Sequence, residues 1–362
     1  MPEANADRLW RSLMEMARIG ATAKGGCARF ALTDLDREAR DLFVAWCREA
    51  GCEVTIDKVG NLFARRPGRQ PERPPVLTGS HLDTQPHGGK FDGVYGVLAG
   101  LEMMRALNDA GVETLAPVEA VVWNNEEGVR FQPGLTGSGT FGGVYELDFA
   151  LDLRDAEGRR FGDELARIGY AGEAAVGGRP LDSFFEAHIE QGPVLEREDK
   201  TIGVVTHVQG MRFFEVTVSG ADAHAGTTPM AARRDAMVGA AAMVLEVDRT
   251  ARENAPDARL TVGQLAVNPN SANTVPGEVT FTIDMRHPES ATLDRLEAHL
   301  RTAFEAIAGG TRLEVEMAQS FSSPPVVFDE ACVAVVREAA AGLGYRHREM
   351  ISGAGHDACY VS

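Results

Sequence analysis

No stretch of this 362-residue chain approaches the roughly 20 apolar residues that a membrane helix needs. Residues 1–8 contain acids and no apolar core, so no secretory signal is expected there. Cysteine is sparse, with five thiols at positions 27, 47, 52, 332 and 359, and no CxxC pair. That pattern argues against a disulfide scaffold and for free thiols in a cytoplasmic protein. A metal trio of Cys27, Cys47 and Cys52 is the weaker alternative, because Cys47 lies in a helical pattern and reads as a small core residue. Basic residues are outnumbered, with 36 Lys and Arg against 53 Asp and Glu and a net charge of −17. Such a chain lacks the basic stripe of a nucleic-acid groove and is repelled by anionic membranes. Repeats and low-complexity tracts are missing too.

What is present suits a globular protein. Hydrophobic residues make up 44% and charged residues 25%, enough for a sizeable core. The length favours two domains. Helical periodicity covers 7–19 and 34–50, with Asp34 as a candidate N-cap and Gly51 as a stop. Segments 53–59 and 61–65 read as a hairpin broken at Gly60. Short apolar strands at 76–78 and 118–123 flank a helix over 94–110, the pattern of a βαβ unit in a largely parallel sheet. In such sheets ligands sit at the carboxyl ends of the strands. From residue 211 the order changes to strand 213–219, helix 233–251, strands 259–267 and 278–286, helix 291–308 and strand 312–318. That βαββαβ order predicts a ferredoxin-like α+β unit inserted at 211–324. The expected first domain is then 1–210 with 325–362.

The chemistry-bearing residues lie just past the buried strands. Glu126 and Glu127 stand side by side after 118–123, preceded by Asn124 and Asn125. Paired carboxylates at a buried strand end are costly unless a cation or proton compensates them. Upstream are His81, Asp83 and, within Gly88-Gly89-Lys90-Phe91-Asp92-Gly93, Asp92. Downstream comes Glu186-Ala187-His188-Ile189-Glu190-Gln191-Gly192-Pro193. Histidines with carboxylates suit zinc, and also manganese, cobalt or nickel. Asp83, two residues past His81, is placed to orient that imidazole. One member of the glutamate pair can bind metal while the other moves protons. Gly137-Ser138-Gly139-Thr140-Phe141-Gly142 reads as GxGxxG, but no strand leads directly into it, so dinucleotide binding is rejected.

Several of these motifs carry a resemblance. Gly79-Ser80-His81-Leu82-Asp83-Thr84-Gln85-Pro86, the Asp92 loop and Asn125-Glu126-Glu127-Gly128 resemble the M20-type dinuclear metallohydrolases. Within these the chain is most similar to the branch of N-carbamoyl-L-amino-acid hydrolases, β-ureidopropionases and allantoate amidohydrolases. His188 with Gln191, His224-Ala225-Gly226-Thr227-Thr228-Pro229, Asn273-Thr274-Val275-Pro276-Gly277, Asp284-Met285-Arg286 and Gly353-Ala354-Gly355-His356-Asp357-Ala358 fit the same branch.

The resemblance implies two divalent metals. One would be held by His81, Asp92 and His188, the other by Asp92 and Glu127. It implies Glu126 as general base, His224 as oxyanion stabiliser, and Gln191, Arg212, Asn273 and Arg286 as substrate ligands. The inserted unit would act as lid and dimer interface. Family members carry a later Ser-His motif whose His completes the second metal site, and no residue up to Ser362 matches it. His356 is expected near the site without an assigned role.

The expected activity is hydrolysis of the carbamoyl C–N bond of an N-carbamoyl-L-amino acid or 3-ureidopropionate. Thr84-Gln85-Pro86 leans that way rather than toward allantoate. The alternatives are an allantoate amidohydrolase, a dipeptidase or aminoacylase, and a non-catalytic dimeric binding protein lacking one metal ligand.

Overall fold

The computed structural model describes residues 2–361. Contacts divide the chain into two compact units. The first comprises 1–202, 342–346 and 356–362; the second comprises 203–341 and 347–355.

The first unit opens with helices α1 (Ala6–Met16) and α2 (Asp34–Glu49). Thr33, not Asp34, caps α2, its hydroxyl accepting from the Asp36 N–H, and Asp34 is the first helical residue. A Schellman turn ends the helix: Gly51 takes φ +80°, and Cys52 N–H returns to Cys47 O at 2.9 Å. Strands β1 (Glu53–Ile56) and β2 (Leu62–Arg66) form the expected hairpin. Next come β3 (Val76–His81), helix α3 (Val94–Asp109), β4 (Val118–Trp123), helix α4 (Thr136–Phe141) and β5 (Ser183–Phe185).

The sheet order is β1-β2-β4-β3-β5. Pairs β1–β2 and β2–β4 are antiparallel, while β4–β3 and β3–β5 are parallel. The architecture is mixed α/β, with parallel pairing in the half of the sheet that carries His81. Apolar side chains cover both faces. Leu62, Ala120 and Val122 face the core of α1, α2 and α3, while Phe63, Leu77, Val121 and Trp123 pack on Phe141 of α4. A strand buried on both sides reads as a nearly continuous apolar run, and 118–123 departs from this only at Glu119, which is buried and paired with Arg65 and Arg179.

The second unit begins with β6 (Ile202–Val208) and β7 (Gly210–Ser219), then the short β8 (Ala223–His224). With α5 (Ala236–Glu253), β9 (Arg259–Thr261), β10 (Leu265–Asn268), β11 (Thr274–Val275), β12 (Glu278–His287), α6 (Ser290–Thr311) and β13 (Glu314–Ser323), it has the expected βαββαβ order. Its antiparallel sheet runs β10-β12-β7-β13, with helices α5 and α6 closing the core around Phe214, Phe281 and Phe304. The single strand expected over 259–267 is two, β9 and β10, both paired with β12. The peptide around Gly263 leaves the ladder between them.

Candidate metal centre

The three parallel strands end at one place. β3 delivers His81 as its last residue, directly opposite Trp123, the last of β4. β4 continues into Asn124, Asn125, Glu126 and Glu127, and β5 continues into Glu186 and His188. The centre therefore lies at the carboxyl ends of strands, as expected for an α/β sheet.

Neighbouring residues on a strand point to opposite faces. Glu126 and Glu127 escape this because the strand breaks at Asn125, which takes a left-handed φ of +54°. Asn is among the few side-chain-bearing residues that enter this region readily. Its Nδ2 donates to Phe131 O and to Thr136 Oγ1, each at 2.8 Å, which holds the turn. The Asp83 carboxylate accepts from Glu126 N–H at 3.2 Å and Glu127 N–H at 3.1 Å. Asp83 thus fixes the glutamate pair through its side chain and His81 through its main chain. His81 Nδ1 lies 2.8 Å from Asp83 O, whereas the Asp83 carboxylate is 3.9 Å from that nitrogen.

The imidazoles reveal what the centre takes. A carbonyl only accepts, so His81 carries a proton on Nδ1, and the neutral ring presents its Nε2 lone pair inward. His188 is arranged alike, with Nδ1 donating to Ile189 O at 2.9 Å. His81 Nε2 faces Glu126 Oε2 at 3.5 Å, and His188 Nε2 faces Asp92 Oδ1 at 3.3 Å. Two acceptors face each other at each place, an arrangement that only a shared cation or proton makes favourable. Among the described residues, two groups bring their ligand atoms within 4.8 Å of one another: His81, Asp92 and His188, and His81, Glu126 and Glu127. Cys27, Cys47 and Cys52 form no such group; all three are buried thiols. Gly93 is required beside this cluster. Its φ is +67°, and a Cβ there would lie 2.4 Å from His81 Nε2.

Further carboxylates crowd the same place. Burial, then the charges of Asp83, Glu127, Glu186 and Asp92, push the Glu126 carboxyl well above the ordinary range. Asp357 is raised in the same way, by burial first and then by Glu186 and Glu126. Burial alone would raise Glu186, but hydrogen bonds from His356 and Ser80 and the nearby His188 hold it at about 2. Ser80 Oγ donates to Glu186 Oε1 at 2.6 Å, and His356 Nδ1 lies 3.2 Å from Glu186 Oε2. Six carboxylates (Asp83, Asp92, Glu126, Glu127, Glu186 and Asp357) thus gather around three imidazoles. Such a negative, buried nitrogen and oxygen donor set fits divalent metal.

Glu186, Ser80 and Asp357 had no role in the sequence reading. Glu186 stands two residues before His188 in the motif, but nothing local marks it as the residue that binds the 356–358 loop. Glu190 of the same motif is structural, capping the helical turn 194–197 through Val194 and Leu195 N–H. Gln191, expected at the substrate, donates from Nε2 to Asp92 Oδ2 at 2.8 Å.

The remaining predicted residues lie in the second unit. His224 is exposed and its Nδ1 accepts from Gly226 N–H at 3.1 Å and Thr227 N–H at 3.3 Å. The neutral ring therefore carries its proton on Nε2. Arg286 is gripped by Asp284 through Nε and Nη2, and its Nη1 donates to Gly353 O at 2.7 Å. One hydrogen on each Nη remains without a partner among these bonds. Arg212 pairs with Asp294 and Glu297 at 2.5 and 2.8 Å. Asn273 is exposed, with Oδ1 accepting from Ser271 Oγ. The GxGxxG stretch forms α4 well after β4 ends. Its glycines serve packing: a Cβ on Gly142 would collide with Tyr360 O.

Known proteins are similar to this chain along nearly its whole length. Residues 77–362 match the model of peptidase family M20/M25/M40. An N-carbamoyl-L-amino-acid amidohydrolase of Rhizobium meliloti is 50% identical over 99% of this chain and 86% of its own length. An allantoate amidohydrolase of Bacillus subtilis is 34% identical over 95% of this chain and 84% of its own. The solved structure of an amidase of the hydantoinase/carbamoylase family from Burkholderia multivorans superposes with a TM-score of 0.96 at 55% identity, covering 99% of this chain and 88% of that one. The chain belongs to peptidase family M20/M25/M40, a family of metal-dependent hydrolases.

Proposed function

We propose that this protein is a dinuclear metal-dependent amidohydrolase that cleaves the carbamoyl C–N bond of an N-carbamoyl-L-amino acid or 3-ureidopropionate. The observation that carries the metal is the pair of inward Nε2 lone pairs on His81 and His188, set against carboxylate oxygens at the strand ends. The names of the most similar relatives support the substrate class. His81, Asp92 and His188 would hold one ion, and Asp92 with Glu127 the other, zinc being the best match to the donors. Bound divalent ions would polarise the scissile carbonyl and bring the pKa of water near 7.

The chain's own residues do the rest. Glu126, its carboxyl raised by burial and by its neighbouring carboxylates, takes the proton of the attacking water at Oε2 and returns it to the leaving nitrogen. One water is consumed. The amino acid leaves, and the carbamic acid separates into ammonia and carbon dioxide. The unit over 211–324 would serve as lid. His224 would offer its Nε2–H to the developing oxyanion, and the remaining N–H groups of Arg286 would hold the substrate carboxylate. Asn273 and Gln191 would add hydrogen bonds. Arg212, already neutralised by two acids, would contribute less. A cytoplasmic homodimer completes the reading. The dimer is supported by the exposed apolar face of α5, where Val238 is 59% and Leu245 71% exposed, and by the edge strand β10.

An allantoate amidohydrolase is the second reading, favoured by relatives of that name in Bacillus subtilis and Escherichia coli. Its substrate also joins a terminal ureido group to a carboxylate, so the same residues would serve. The test is turnover by metal-loaded protein on a panel of N-carbamoyl amino acids, 3-ureidopropionate, allantoate, dipeptides and N-acyl amino acids. Hydrolysis of a carbamoyl substrate that a chelator abolishes and divalent metal restores is expected. Absence of hydrolysis on every ureido acid rejects the reading. Glu126→Gln is expected to retain metal and lose about 10²–10⁴-fold in kcat.

A further inference from the structure

Gln85 has no part in the chemistry described so far, yet it grips a proposed metal ligand from two directions. Its main-chain N–H donates to Glu127 Oε1 at 3.1 Å, and its side-chain Nε2 donates to Glu127 Oε2 at 2.5 Å. Both carboxylate oxygens are thereby fixed by one residue. The Glu127 main chain is fixed as well, through its N–H to Asp83 Oδ2.

The segment that presents Gln85 is held on both sides. Before it, Thr84 N–H donates to Arg29 O at 2.9 Å, and Thr84 Oγ1 accepts from Arg29 N–H at 2.8 Å. Arg29, 1% exposed, donates from Nε to Leu82 O at 2.8 Å and from Nη1 to Ile19 O at 2.8 Å. After it, Gln85 O accepts from Gly88 N–H at 3.1 Å, closing a turn with Pro86 in its second position. Gly88 O accepts in turn from Cys27 N–H at 2.9 Å. Gln85 is exposed, so burial does not account for its orientation. Its amide is presented by a backbone that cannot easily move.

Each oxygen of a carboxylate accepts in more than one direction. The two N–H donors occupy one direction on each oxygen of Glu127 and leave acceptor capacity on both for a cation. Ligating carboxylates owe part of their affinity to such outer hydrogen bonds, and removing one costs about 10–100-fold in metal affinity.

We propose that Gln85 is a positioning residue for Glu127 and sets the affinity of the second metal ion of the centre. The inference rests on the reading of Glu127 as a metal ligand. The amide orients the carboxylate before metal arrives, so binding need not spend free energy to order it. The ion held by His81, Asp92 and His188 does not involve Glu127 and keeps its affinity when Gln85 is altered.

The test is stepwise titration of chelated full-length protein with Zn²⁺ or Co²⁺ against a chromophoric chelator. Wild type, Gln85→Met and Gln85→Ala are compared. Met keeps length and shape without a donor, and the main-chain N–H survives in both. The weaker of two binding steps is expected to fall about 10–100-fold in both variants, with the tighter step unchanged. Co²⁺ absorption is expected to change only over the second equivalent. Thermal unfolding of the metal-free variants is expected to match wild type. Equal affinities in all three proteins overturn the proposal. So does equal weakening of both steps, or a single binding step in wild type. Failure of the hydrolase reading shows separately, as absence of wild-type turnover while the metal titration still reports on Gln85.

Discussion

At the scale of single residues, small groups hold the centre in place. Gly93 leaves no room for a side chain: a Cβ would meet His81 Nε2 at 2.4 Å on a backbone with φ +67°. Gly93→Ala is expected to cost about 1–3 kcal/mol from backbone strain alone and to displace the imidazole. Thermal unfolding and metal content after gel filtration would show both effects together. Asp57 offers a pH signal away from the metal centre. Burial raises its carboxyl from 3.8 to about 6, against hydrogen bonds from Asn61, Val59 and Gly60 that pull it down. The ionised form is the costly one in the fold. Below about pH 4 both folded and unfolded chains hold the proton, and above about 6 the full cost is present. This group therefore makes stability fall as pH rises through that window, by about 2–3 kcal/mol. Urea unfolding of chelated wild type and Asp57→Asn across pH 4–7 would test it, since the variant should lose that slope. Nothing local in the sequence marks Asp57 as buried. Asn61 closes over its carboxylate, and Asn124 and Gly137 pack on Asn61 in turn.

At the scale of elements, the strand β4 and helix α3 were legible because their apolar runs are long and buried. The turn beyond β4 was not. Arg40, 1% exposed on α2, pairs with Asp36 at 2.9 Å and donates from Nη2 to Asn124 Oδ1 at 2.7 Å. It thereby ties α2 to the residue that starts the glutamate turn. In sequence, Asp36 and Arg40 look like an exposed i, i+4 pair on a helix. Only packing shows that they are buried, because the covering residues come from elements distant in the chain. Arg40→Met would leave Asp36 buried and unpaired, at about 3–5 kcal/mol. Asp36→Leu with Arg40→Met is expected to recover much of that loss, which denaturant unfolding of the three variants would measure. Recovery failing in the double variant would show that the tie to Asn124 matters more than the pair.

For the whole molecule, metal and fold are linked. The carboxylates around His81 and His188 repel one another without a cation, so metal should stabilise the chain by mass action. At a free concentration 100-fold above Kd the gain is about 2.7 kcal/mol. A chelator should therefore lower the thermal midpoint of wild type more than that of His188→Ala. The exposed apolar face of α5 makes a second prediction. Leu245→Lys, at a position 71% exposed, is expected to convert a dimer to monomer in sedimentation velocity without unfolding it. A wild-type monomer would remove the homodimer from the proposed reading.

The sequence by itself determined strands β1 to β4, the order of the βαββαβ unit, and the residue types that follow the strands: His81, Asp92, Glu126, Glu127 and His188. Local apolar period and glycine-flanked acids are properties of neighbouring residues, so they survive in one dimension. Tertiary structure alone decided which atoms do the work. It set the Asp83 carbonyl, not its carboxylate, against His81, and it turned Glu186 toward His356. It also closed Gln85 on Glu127 and hid the Asp36–Arg40 pair. All but the first depend on which distant segments meet near the carboxyl end of the sheet. That meeting is fixed by strand register and packing, which no single stretch of the chain encodes.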